Sequence, residues 1–131
     1  MKANNWELPD DLLYNDDNSW VKLQGDTATV GVIEPAAKSV EEFVFIQLPE
    51  KGKDIKEGEI YVSLEAVKWS GHLKSPVSGQ ITEINEELFD DPSLINKQPY
   101  KSWIMKVKLA HMPKSLMKVE EATEWIKQKY S

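Results

Sequence analysis

The stretch that decides the fold is Glu65-Ala66-Val67-Lys68-Trp69-Ser70-Gly71-His72-Leu73-Lys74-Ser75-Pro76-Val77-Ser78-Gly79. It reads as two short extended pieces around a turn, with Gly71 able to take a positive φ. Working outward, residues 80–84 resume as a strand and residues 59–64 read as the strand before it. That earlier strand is reached through the 55–58 connection and the Lys51-Gly52-Lys53 turn from residues 43–48, the most strongly apolar strand, which Pro49 stops. Further upstream, Trp20-Val21-Lys22-Leu23, the Gln24-Gly25-Asp26 turn and Thr27-Ala28-Thr29-Val30-Gly31-Val32-Ile33 form a hairpin by alternation, β-branched content and turn chemistry. Pro35 then permits a short helix over residues 36–40. Downstream, residues 90–96 read as a single helical turn capped by Asp91 with Pro92 at its first position. Trp103, Met105, Val107 and Leu109 alternate with Ile104, Lys106 and Lys108, which gives a final strand with one apolar face. Over residues 114–129, Leu116, Val119, Ala122 and Ile126 recur at three- and four-residue steps, so a closing amphipathic helix is expected. The first 18 residues are polar and acidic and read as an arm with one apolar anchor, Leu12-Leu13-Tyr14. The fold class is mainly β with short helices and a C-terminal helix.

At the centre of the deciding stretch, Lys68 stands between Val67 and Trp69 at what should be the tip of a tight hairpin. A tip lysine projects outward and is well placed for another enzyme to acylate. On physical grounds alone it is one exposed lysine among 16.

With 131 residues, 16 lysines against 22 acidic residues and a formal charge of -6, the chain has the bulk for one globular domain. Zero cysteines exclude thiol nucleophiles, thiolate zinc sites and any redox pair made from the protein's own side chains. Redox chemistry would have to come from something attached. No arginine is present either, and with a pI of about 5.0 nucleic acid is a poor partner. No apolar run approaches the roughly 20 residues that span a bilayer, and Met1-Lys2-Ala3-Asn4-Asn5-Trp6-Glu7 has no signal-peptide pattern, so a cytoplasmic protein without membrane contact is expected.

Conventional catalytic machinery is hard to assemble. His72 and His111 lack acid–base or metal-ligand spacing, and the six glycines form no phosphate loop. The pairs Glu41-Glu42, Glu86-Glu87, Asp90-Asp91 and Glu120-Glu121 read as solvated charge, because adjacent side chains diverge in a strand or a helix. Neither a catalytic residue nor a metal ligand is expected.

From Leu8 to Ile126 the chain resembles the H-protein family of the glycine cleavage system, lipoyl-bearing carriers related to the lipoyl and biotinyl domains. The resemblance is carried by Gly25-Asp26-Thr27-Ala28-Thr29-Val30-Gly31, Val44-Phe45-Ile46-Gln47-Leu48-Pro49-Glu50-Lys51-Gly52, Glu65-Ala66-Val67-Lys68, Ser75-Pro76-Val77-Ser78-Gly79, Asn85-Glu86 and Asn96-Lys97-Gln98-Pro99-Tyr100. It implies a barrel-sandwich hybrid of two small antiparallel sheets. It also implies lipoate in amide linkage to Lys68, with Glu65, Val67, Trp69 and Gly71 shaping the hairpin that lipoylating enzymes read. Biotin carriers have Met on both sides of their lysine, unlike Val67 and Trp69. The implied role is a non-catalytic, monomeric swinging-arm carrier that moves an aminomethyl group and reducing equivalents between glycine decarboxylase, aminomethyltransferase and dihydrolipoamide dehydrogenase. An acidic surface would steer it toward basic docking sites.

Several positions depart from the family pattern. Asn18-Ser19-Trp20 stands where the family has His-Glu-Trp, Glu34-Pro35-Ala36 where it has Asp-His/Tyr-Ala, and Trp69-Ser70-Gly71-His72 replaces small residues after the lysine. Ser102 replaces a glycine. Ser19 and Pro35 cannot supply the charges of the cleft in which the family's loaded arm rests. These changes resemble the lipoate-binding proteins that serve heterodisulfide-reductase-like complexes in sulfur oxidation, so a carrier of sulfur intermediates is a second expectation. An acidic interaction module that has lost its cofactor is a third.

Overall fold

In the computed structural model of the chain, residues 1–130 are described. They open with a hairpin where composition suggested a polar arm. β1 (Lys2–Ala3) and β2 (Trp6–Glu7) pair antiparallel, around a turn in which Asn4 takes φ 57, a left-handed conformation that asparagine tolerates better than most residues. Ala3 and Leu8 are fully buried. The arm therefore has anchors at both ends, because isolated apolar residues among polar neighbours find a partner surface far along the chain.

β3 (Leu13–Tyr14) leads to β4 (Ser19–Gln24) and β5 (Thr27–Val32), joined by Gly25 and Asp26. Gly25 at φ 63, with Asp26 outside the left-handed region, is the type II′ pattern that matches strand twist. α1 (Glu34–Lys38) starts two residues earlier than expected because Pro35 occupies its first turn. β6 (Phe43–Gln47), β7 (Asp54–Ile55), β8 (Ile60–Ala66), β9 (Trp69–Lys74) and β10 (Gly79–Ile84) follow. α2 (Glu87–Asp90) and α3 (Leu94–Lys97) are single turns. The expected Asp91 cap is not made: α3 begins later, and the Asp91 carboxylate accepts the Ser93 hydroxyl at 2.5 Å instead of a backbone amide. β11 (Met105–Leu109) keeps Met105 and Val107 inward. Ile104, expected on the polar face, is fully buried just before the strand, where its N–H donates to the Val30 carbonyl at 2.7 Å.

The closing helix is shorter than its periodicity suggested: α4 spans Val119–Lys129. Residues 114–118 stay outside it because the free edge of β3 captures their backbone. Tyr14 and Met117 exchange hydrogen bonds of 2.9 and 2.7 Å. Val119, Ala122, Thr123 and Ile126 form the buried stripe of α4, packing with Ala3, Leu8, Tyr14, Trp20 and Ile33.

The strands form a two-stranded sheet, a six-stranded sheet in the order β3-β4-β5-β11-β10-β7 and a three-stranded sheet in the order β6-β8-β9. Among the described residues all eight strand pairings are antiparallel. The larger sheet contributes Val21, Val30 and Val107 to a core that the smaller sheet completes with Ile46, Val62 and Leu64. Each such side chain contributes roughly 1.5–3 kcal/mol by leaving water. Between the sheets, the Ser19 and Tyr61 hydroxyls hydrogen-bond at 2.7 Å, satisfying both groups where neither meets solvent.

Burial pushes the Tyr14, Tyr61, Tyr100 and Tyr130 hydroxyls above the ordinary value of 10.0. Below pH 10 both folded and unfolded chains keep these protons, so the contribution to stability is complete. As pH rises further the unfolded chain ionises first, and each proton the fold retains steepens the loss by about 1.4 kcal/mol per pH unit. Tyrosinate absorbance is therefore expected to rise together with loss of the β circular-dichroism signal. Graded ionisation of all four tyrosines in an intact fold would contradict this.

Candidate functional site

β8 and β9 pair from Ile60 with Lys74 to Ala66 with Trp69, which leaves Val67 and Lys68 as a two-residue connection. Neither is in the left-handed region, so the turn is of the unprimed kind that splays the strand ends instead of following their twist. Val67 is 76% exposed, and Lys68 is exposed beside it. Among the described residues no carboxylate lies within salt-bridge distance of the Lys68 ammonium.

The other hairpin residues divide by face. Glu65 is exposed, opposite Phe45 on one side and Ser70 on the other. Trp69, 42% exposed, turns its ring toward Phe43, with ring centres 6.0 Å apart and planes tilted by 53°. Gly71 does not use the positive φ expected of it; it lies in β9 opposite Leu64. Its requirement is room: a Cβ there would stand 2.6 Å from the Trp69 ring. His72 is exposed on β9 opposite Ser63.

A cavity of about 240 Å³ runs beside the turn, lined by Ser39, Val40, Glu41, Ala66, Val67, Lys68 and Trp69. A second, of about 300 Å³, shares Ser39, Val40 and Trp69 and continues over Val32, Phe43, Leu64 and Leu73 to Asn18, Lys129 and Tyr130. The two form a groove with an apolar floor and a polar far end, where the Tyr130 hydroxyl donates to Asn18 Oδ1 at 2.7 Å. A larger cavity of about 730 Å³, lined by residues including Lys56, Gln80 and His111, contains none of the hairpin residues. Ser19 faces the Tyr61 hydroxyl inside the protein, and Pro35 is buried in α1.

Asn96 holds the wall formed by residues 39–41. Its Oδ1 accepts the Phe43 N–H at 2.8 Å, and its Nδ2 donates to the Ala37 and Glu41 carbonyls, both at 2.7 Å. This wall, Asn96 and the Lys129–Tyr130 end escaped the sequence reading as site residues. They lie far from Lys68 in the chain and carry no local motif. Replacing Asn96 by alanine is expected to cost about 1–3 kcal/mol in urea unfolding, since it strands one donor and two acceptors. A loss below about 0.5 kcal/mol, ordinary for a surface change, would contradict that role.

The chain and its fold are similar to known proteins. Residues 12–129 match the family described as glycine cleavage H-protein. A glycine cleavage system H protein from Staphylococcus carnosus is 47% identical over 103 residues, covering 78% of this chain and 82% of that protein. One from Staphylococcus saprophyticus is 40% identical over 122 residues, covering 91% and 97%. A crystal structure of a glycine cleavage system H protein from Mycobacterium marinum superposes with a TM-score of 0.83 at 30% identity, covering 95% of this chain and 100% of that one. The two sheets and C-terminal helix thus form the barrel-sandwich expected from the resemblance, and the chain belongs to the glycine cleavage H-protein family.

Proposed function

We propose that the protein is a lipoyl carrier, with lipoate in amide linkage to Lys68 Nζ. The observation that carries this reading is the position of Lys68, exposed and free of an ion pair among the described residues, on a two-residue turn of a chain from this family. The surroundings fit the group: no salt bridge has to break for acylation, and the adjoining groove offers apolar walls at Val40 and Trp69. When bound, lipoate supplies reversible disulfide–dithiol chemistry that a cysteine-free chain lacks. The chain's own residues present and position. Val67 and Lys68 hold the tether clear of the sheet, Gly71 leaves room for the Trp69 ring, and Asn96 fixes the opposite wall. Tethering keeps an arm near a docked enzyme at an effective concentration on the order of millimolar, so the carrier itself need not catalyse.

The partners proposed for this carrier are glycine decarboxylase, aminomethyltransferase and dihydrolipoamide dehydrogenase. One observation favours a second reading of the cargo. Among the described residues lining the longer cavity, Lys129 and Tyr130 are the ionisable groups and none is a carboxylate, so a cationic amine there lacks a counter-charge in the wall itself. That favours a sulfur substituent, with a heterodisulfide-reductase-like complex as partner. Reconstitution separates the two: lipoylated protein is offered to glycine decarboxylase and aminomethyltransferase with glycine. Carbon dioxide release that depends on the carrier supports glycine cleavage, and none from fully lipoylated protein leaves the sulfur reading.

A further inference from the structure

Large apolar side chains gather in the open beside Lys68. Val44 is 56% exposed and Phe45 47% exposed on β6, which forms one edge of the three-stranded sheet. A register shift explains them: Phe43 pairs with Ala66 and Phe45 with Glu65, so Val44 is an extra residue with no partner, and the bulge re-aims the strand there. Phe45 and Glu65, directly opposite, share a face. Val67 extends the apolar surface at the hairpin end, and α2, which packs against β6, adds Phe89 at 63% exposure.

Acidic residues predominate around this patch. Glu41 and Glu42 stand just before β6, and Glu86, Glu87 and Asp90 lie on or beside α2, with Lys38, Lys51 and Lys97 further out along the chain. Among the described residues none of these five carboxylates lies within salt-bridge distance of an ammonium group. They leave an excess of negative charge beside an apolar centre, an arrangement that marks interaction surfaces.

We propose that the outward side of β6 and the β8–β9 hairpin is where the lipoylating enzyme docks, meeting it with an apolar centre and a lysine- or arginine-rich rim. The inference rests on Lys68 being the lipoylated residue. A two-residue turn gives an enzyme little peptide to grip, so the neighbouring surface must supply the rest of the recognition. A second copy of this chain is the wrong occupant, because it would bring the same carboxylates against these. In the reaction so positioned, the Lys68 amine forms an N–C bond to the acyl carbon of an acyl adenylate as the C–O bond to AMP breaks, and its ammonium releases two protons to solvent.

The test uses the full chain, a purified lipoate ligase, ATP and lipoate, with intact mass as readout. Phe45→Ser, Glu65→Lys and the double variant Glu41→Lys/Glu42→Lys are compared with Lys22→Glu on the exposed side of β4. The first three are expected to lower kcat/KM for lipoylation at least about tenfold, and Lys22→Glu less than about twofold. Added salt should slow the wild type more than the double variant. Acetylation of Lys68 by N-hydroxysuccinimidyl acetate, which needs no docking, should stay unchanged in all four. Wild-type lipoylation with every variant within about twofold overturns the docking surface alone. So does a parallel fall in chemical acetylation, which would locate the defect in the hairpin itself. A wild type that the ligase never modifies overturns the carrier reading beneath it.

Discussion

Replacing Lys68 by arginine is expected to abolish lipoylation and, with it, all carrier activity, while leaving the fold and its stability unchanged. Arginine keeps the positive charge and the length, but its guanidinium stays protonated and cannot serve as an acyl acceptor. Lys68 lies on an exposed turn without a salt bridge among the described residues, so the change removes chemistry and no packing. The expected pattern is an unaltered circular-dichroism spectrum, an unaltered unfolding midpoint, no lipoyl adduct and no turnover in the reconstituted system. Residual turnover near the wild-type level would mean that function does not pass through this amine, as an interaction module that had lost its cofactor would behave.

The largest stability effect is expected at Trp20. Trp20→Ala should cost about 4 kcal/mol, in the range for deleting a buried large aromatic, a substantial share of the 5–15 kcal/mol that holds a typical domain. The side chain is 3% exposed. Its ring covers Gly31, where an added Cβ would stand 2.5 Å away, and packs against Tyr100 with ring centres 6.4 Å apart. Its Nε1–H donates to the Pro99 carbonyl at 3.1 Å. Alanine leaves a cavity and an orphaned acceptor together. Urea unfolding should show the midpoint falling with little change in slope, and a loss under about 1 kcal/mol would mean that Leu8, Ile33 and the buried stripe of α4 repack around the gap.

What could be read from the sequence was what local chemistry dictates. Gly25 marks the β4–β5 turn, alternation marks β4, β5 and β11, and Val67-Lys68 marks the hairpin tip. The misses share one cause, since each depends on a partner distant in the chain. The Met1–Leu8 hairpin has strands of two residues that α4, α1 and Tyr100, all distant in the chain, make worth forming. The first turn expected of that helix was lost to the edge of β3 at Tyr14. Gly71 could be recognised as a glycine with a purpose, but whether it supplied a backbone angle or empty space depended on where the Trp69 ring lay. The groove is assembled from Asn18, residues 39–41 and Tyr130, and no short window of sequence holds them together.

The most direct test is the intact mass and peptide map of the wild-type protein purified from a host with working lipoylation enzymes. The expected result is a single lipoyl adduct, mapped to the peptide containing Lys68. A protein that emerges unmodified from such a host, or modified at another lysine with Lys68 free, would contradict the assignment of this residue and the carrier function built on it.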